Sequence, residues 1–234
     1  IGIGTTIPSQ KLEVNGTVKA TAFQGDGSGS TRVNCLGGVS VGTNEPTPWI
    51  QLGDDLLGDV GSKQLSYESV SLSDDGTVVA AGAWFGNYVR VYEWDGSSWS
   101  LRQKITGDGQ YGISVSLSSD GNRLAVGAQT HDSEKGTVRI YNWNGSSYAR
   151  IGADIDGEAT QNSFGKRVSL SSDGNIVAAG ADRNYGTAQY SGHVRVFQLT
   201  QPNNVWTQLG SDIDGEAYDD RSGSSVSLSS DGTI

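Results

Sequence analysis

Two stretches of this chain crowd carboxylates closely enough to hold a divalent cation: Asp154-Ile-Asp156-Gly-Glu158 and its copy Asp212-Ile-Asp214-Gly-Glu216, the second followed by Asp219-Asp220. Ca²⁺ takes about 6–8 oxygens, and three acidic side chains within five residues supply part of that shell. A degenerate version stands at Asp54, Asp55 and Asp59. The competing reading is a solvated acidic connection between structural units, because neither stretch has the full spacing of a calcium loop.

Three unlike segments carry a second kind of chemistry: Trp84-Phe-Gly-Asn-Tyr88, Gln129-Thr-His-Asp-Ser-Glu-Lys135 and Asp182-Arg-Asn-Tyr-Gly-Thr-Ala-Gln-Tyr190. Trp84, Phe85, Tyr185 and Tyr190 offer flat faces able to stack on sugars. With Tyr88, His131, Asp132 and Arg183 they form the candidate binding set, ordinary loop packing being the alternative for each. Catalytic spacing is a different matter. His131 and His193 stand at unlike positions, and no nucleophile elbow, metal-ligand spacing or phosphate loop occurs. A pair of carboxylates from different units would suit a glycan-cleaving enzyme, yet linear spacing assembles no such pair. The chain is therefore read as a non-enzyme.

What must position these residues is a repeat. Ser69-Val-Ser-Leu-Ser-Asp-Asp-Gly76 recurs as Ser114–Gly121, Arg167–Gly174 and Ser225–Gly232, its valines 45, 53 and 58 residues apart. That spacing falls in the range of propeller blades. Within a copy, Val115 and Leu117 alternate with serines as in a half-buried strand, and Asp120-Gly121 turns the chain. A small-residue strand follows over 123–128, then the variable loop and a third strand, Gly136-Thr-Val-Arg-Ile-Tyr-Asn-Trp143. Asn144-Gly145 turns into a fourth strand beginning at Tyr148. Trp94 with Trp99, and Trp143 with Tyr148, flank the later turn at the spacing of cross-strand aromatic pairs. Trp49-Ile-Gln-Leu-Gly53 matches Trp206-Thr-Gln-Leu-Gly210, placing a fourth-type strand ahead of the first copy. The prediction is an all-β chain, a β-propeller of four-stranded antiparallel blades, with three whole blades and part of a fourth across residues 41–234.

Composition agrees. Glycine is 34 of 234 residues and charged residues are 18%, a turn-rich profile with little long helix. The net charge of −10 repels phosphate backbones and anionic lipid, which argues against nucleic acid, and no apolar run is long enough for membrane insertion by a helix. Cys35 is the single cysteine, so no internal disulfide is possible. The chain has no methionine and stops mid-repeat at Ile234, so a piece of a longer polypeptide is expected.

Phe164-Gly-Lys-Arg-Val168, then Val177-Ala-Ala-Gly-Ala181, then Gly192-His-Val-Arg-Val-Phe197, resembles the FG-GAP repeat of integrin-α-like propellers. Tyr111-Gly112 through Tyr141 is a second match. Those families often carry a calcium loop between the first two strands of a blade. Here only Ser-Asp-Gly occupies that place, so calcium is not implied there. Residues 1–40 are of another kind. Ile1-Gly-Ile-Gly-Thr-Thr-Ile-Pro and Lys11-Leu-Glu-Val-Asn-Gly16 resemble the β-rich stalk of trimeric phage tail fibres and bacterial surface fibres, which implies a homotrimer joined through residues 1–31. The segment is too short to bury a core alone. Together the two resemblances imply a virion fibre or extracellular surface-attachment protein whose head binds a host glycan or protein receptor. A passive structural part of a virion or filament is the alternative.

Overall fold

The computed structural model describes residues 50–59, 65–66 and 69–233. The expected stalk and linker, residues 1–40, lie outside them. Three antiparallel sheets follow one another along the chain with almost no helix. The first is β1 (Val70–Leu72), β2 (Val78–Ala83), β3 (Tyr88–Trp94) and β4 (Trp99–Thr106), hydrogen-bonded in chain order. The second repeats the order with β5 (Ser114–Leu117), β6 (Arg123–Ala128), β7 (Thr137–Trp143) and β8 (Tyr148–Arg150), and β9 (Ile155–Asp156) also pairs with β7. The third is β10 (Arg167–Leu170), β11 (Ile176–Ala181), β12 (His193–Thr200) and β13 (Val205–Gln208), with β14 (Ile213–Asp214) on β12. The fourth strand is therefore broken in the last two sheets, where Gly152 and Gly210 at positive φ precede its second piece.

Strand alternation decides the packing. Leu124 and Val126 of β6 face Val78, Val89 and Val91 of the first sheet, while Ala125, Val138 and Ile140 face Val168, Val177 and Phe197 of the third. The middle sheet thus puts one side-chain set into each of two cores. Val115 and Leu117 are each 7% exposed, whereas their counterparts Val70 and Leu72, with no preceding sheet among the described residues, are 62% and 55% exposed. The expected aromatic pairs form: Trp94 and Trp99 are register partners with ring centroids 5.3 Å apart, and Trp143 and Tyr148 likewise at 5.1 Å.

The repeated words are used up at the junctions between sheets. Leu117 N–H donates to Ser71 Oγ at 2.9 Å, Leu170 N–H to Ser116 Oγ at 3.0 Å, and Leu228 N–H to Ser169 Oγ at 3.0 Å. Beside them runs a backbone series, Asp74 N–H to Ser119 O, Ser119 N–H to Ser172 O and Ser172 N–H to Ser230 O, each 2.8–2.9 Å. Residues 225–228 join this series but pair in no strand among the described residues, unlike the three earlier copies.

A second junction is set by glycine. A Cβ added to Gly127 would lie 1.8 Å from Gly165 O, one on Gly82 would lie 2.0 Å from Gly112 O, and one on Gly180 would lie 2.1 Å from Gly223 O. Only hydrogen fits there. Gly127→Ala should cost more than about 3 kcal/mol in urea denaturation, since backbone must move to admit the methyl. Gly145→Ala, whose Cβ would meet nothing within 4 Å, should cost only the roughly 1–2 kcal/mol of its left-handed backbone.

Candidate functional site

Arg90, Arg139 and Arg195 occupy one position of the third strand in successive sheets. Each reaches an acidic connection. Arg139 Nε lies 3.1 Å from Asp154 Oδ2, Arg195 Nε lies 3.6 Å from Asp212 Oδ1, and Arg90 pairs with Asp59. Arg150 makes a second pair with Asp154. The same guanidiniums lie over aromatics, Arg139 5.8 Å from the Tyr111 centroid and Arg195 5.5 Å from that of Phe164. Both aromatics are completely buried, so the Tyr-Gly and Phe-Gly words supply a ring under the next sheet's arginine and a glycine for the close approach. Asp154 is thereby an ion-pair partner of the frame. Asp156, Glu158, Asp214 and Glu216 are exposed.

Among the described residues, neither acidic stretch gathers three carboxylates of its own into one site. The ligand atoms that do converge belong to Glu158, His193 and Asp212, all within 4.8 Å of one another. Glu158 comes from the connection after β9, His193 opens β12 and Asp212 precedes β14. Sequence reading set His193 aside because the two histidines stand at unlike positions of the repeat and no metal-ligand spacing surrounds either. Its only signal was positional: it stands where the other copies carry Tyr88 and Thr137.

The variable loops collect at the strand ends carrying these connections. Tyr111 N–H donates to Asn87 Oδ1 at 3.1 Å and Thr130 N–H to Gly109 O at 3.1 Å, so residues 107–113 bridge the first two loops. Arg183 Nη1 lies 3.5 Å from Glu134 Oε2, linking the second loop to the third. Trp84 and Phe85 stack with centroids 3.6 Å apart, and Phe85 is 52% exposed. Tyr185 and Tyr190 lie 5.2 Å apart, with Tyr185 47% exposed and the Arg221 guanidinium 5.9 Å from the Tyr190 ring. Asp132 and Arg183 are exposed. His131 is half-buried beside Asp108 and Arg139, at 3.5 and 3.3 Å. Tyr88 belongs elsewhere: it is 1% exposed in the core and its hydroxyl accepts from Asp59 N–H at 3.0 Å.

An open groove of about 480 Å³ also lies between the second and third sheets, lined by Asp154, Asp156, Arg195, Asn204 and Trp206. Trp206 is held in place by its indole N–H, which donates to Ile151 O at 3.0 Å.

No family model and no curated protein matches the chain. Among solved structures it is similar to a provisionally assigned 6-phosphogluconolactonase from Bacteroides fragilis, at 14% identity and TM-score 0.47, over 62% of this chain and 38% of that one. A second structure so assigned, from Bacteroides uniformis, gives 15% identity and TM-score 0.47 over 62% and 39%. Saccharomyces cerevisiae Sqt1 gives 16% identity and TM-score 0.44 over 65% and 36%. The chain spans well under half the length of each.

The Ser-x-Asp-Gly turns, where a calcium loop is missing, use their carboxylates internally. Ser73, Ser118, Ser171 and Ser229 hydroxyls donate to Oδ1 of Asp75, Asp120, Asp173 and Asp231 at 2.6–2.7 Å. The same oxygen accepts a backbone N–H two residues on, from Thr77, Asn122, Asn175 and Thr233. These bonds favour the charged form: the Thr77 N–H, with Ser73, holds Asp75 below the usual carboxylate range, and the Ser229 hydroxyl, with Thr233, holds Asp231 down at about 2. A carboxyl depressed in the folded state stabilises above its unfolded pKa of about 3.9, and that contribution is lost as pH falls toward the folded value. Thermal unfolding should therefore be flat from pH 7 to about 5 and fall progressively toward pH 2. Asp120→Asn, which cannot carry the charge, should flatten part of that acid limb in a pH series followed by circular dichroism.

Proposed function

We propose that the three sheets are consecutive blades of a β-propeller, and that the loop rim at 84–87, 129–136 and 182–192 is an attachment site for a cell-surface glycan or protein receptor. The propeller reading is supported by the meander order of each sheet, the face-to-face packing of successive sheets and the seam joining their first strands. In a closed ring the exposed pair Val70 and Leu72 would be covered as Val115 and Leu117 are. The trimeric stalk of residues 1–31 and a virion or extracellular setting belong to the same proposal and rest on sequence resemblance.

One observation carries the attachment reading. Repeated residues are spent on junctions, turns and ion pairs, while the non-repeated loops hold two aromatic pairs with one exposed ring each, Phe85 against half-buried Trp84 and Tyr185 against half-buried Tyr190. Large apolar groups on a rigid rim suit recognition, because little ordering is left to be done on binding. Binding rather than turnover is the reading, because what the rim presents is aromatic faces.

Phe85→Ser combined with Tyr185→Ser should reduce adhesion to the natural surface by at least about tenfold while the melting temperature shifts by less than about 3 °C, as exposed substitutions do. Full adhesion by that double variant, folded and intact, would remove the rim from the account and favour the passive structural role.

A further inference from the structure

We propose that Glu158, His193 and Asp212 form a binding site for a divalent first-row transition metal of the Zn²⁺ type, bridging the second and third sheets. The argument begins at equivalent positions. Tyr88, Thr137 and His193 are the first residues of β3, β7 and β12, and pair with Ala83, Ala128 and Ala181. In the first two copies the polar atom is satisfied by protein: Tyr88 Oη accepts from Asp59 N–H, and Thr137 Oγ1 donates to Ile155 O at 3.3 Å. His193, 1% exposed, has no hydrogen-bond partner on either ring nitrogen. Buried polar atoms without partners are rare enough in folded proteins to need a reason.

The surroundings supply one. Asp212 divides its carboxylate: Oδ1 accepts from Gln208 Nε2 at 2.7 Å, while Oδ2 sits 3.2 Å from His193 Nδ1 without hydrogen-bond alignment. The Asp214 carboxylate lies 3.9 Å from the same nitrogen, and Arg195 Nε lies 3.6 Å from Asp212 Oδ1, on the oxygen turned away from the imidazole. Glu158 arrives from the preceding sheet and makes no hydrogen bond or ion pair among the described residues. At the corresponding place in the first copy, Asp59 is neutralised by Arg90 and Lys104.

Tetrahedral Zn²⁺ with ligand bonds of about 2.0–2.1 Å sets its donor atoms about 3.3 Å apart. The imidazole and Asp212 already meet that spacing, and the exposed Glu158 side chain has room to close the rest of the 4.8 Å spread. Three protein ligands leave a fourth position for water. A donor set centred on imidazole selects zinc-like ions over Ca²⁺, which wants oxygen alone and more of it.

The full chain, freed of metal with EDTA and dialysed, should take up one Zn²⁺ per chain in isothermal titration calorimetry, with a raised melting temperature. His193→Thr, which installs the residue of the second copy, should abolish that binding. His131→Ala, at the other histidine, should leave it intact. Because His193→Thr alters a buried position, Glu158→Gln provides a surface variant that cannot disturb the core, and it should weaken binding by about tenfold or more. Failure of the wild type to bind Zn²⁺ saturably would overturn the proposal. So would binding unchanged in Glu158→Gln or lost in His131→Ala, or a site that takes Ca²⁺ in preference to Zn²⁺.

Discussion

Backbone meets backbone where each sheet touches the next, at Gly82 with Gly112, Gly127 with Gly165 and Gly180 with Gly223, so close that a single methyl on the first glycine would overlap a carbonyl oxygen. Everything else in the repeat follows from holding that distance. The strands nearest the contact must be built of Ala and Gly, the serines of Val-Ser-Leu-Ser must accept amide hydrogens from the next copy, and an aromatic ring must fill the space under each third-strand arginine. Two neighbouring sheets then share a dry core of Val, Leu and Ile, each buried side chain contributing about 1.5–3 kcal/mol relative to exposure.

A frame that consumes its repeated residues leaves functional freedom only where copies differ. The loops between the second and third strands differ most, and they stand side by side at one end of the sheets. His193 is the exception inside the frame. It occupies a position that needs a satisfied polar atom, and it lacks one unless something outside the protein provides it.

The strands and turns were legible in the sequence because their causes are local. Alternating Val and Leu, Asp-Gly and Asn-Gly turns, and aromatic pairs at hairpin spacing all act within a dozen residues, and they appear as read in the three described sheets. Residues 50–53 and 225–228, which have no complete sheet to join among the described residues, form no strand. The candidate site was less legible because its geometry is made by contacts between sheets. Asp154 looks like a cation ligand in the chain but is claimed by Arg139 and Arg150. Tyr88 closes a loop in the sequence yet points into the core, because it opens β3 at the position that β2 covers. Glu158 and His193 are separated by an entire first and second strand, so only the packing of the third sheet on the second brings them together.

The central claim is that successive sheets are joined by a continuous seam rather than merely stacked. Hydrogen–deuterium exchange at single-residue resolution tests it most directly, at the amides of Leu117, Leu170, Asp74, Ser119 and Ser172, whose hydrogen bonds run to the neighbouring copy of the repeat. The account predicts protection equal to that of in-sheet amides such as those of β6 and β11, with all of them opening together in the global unfolding reaction. Exchange of the seam amides at loop-like rates, while β6 and β11 stay protected, would show that the sheets are independent units and would contradict it.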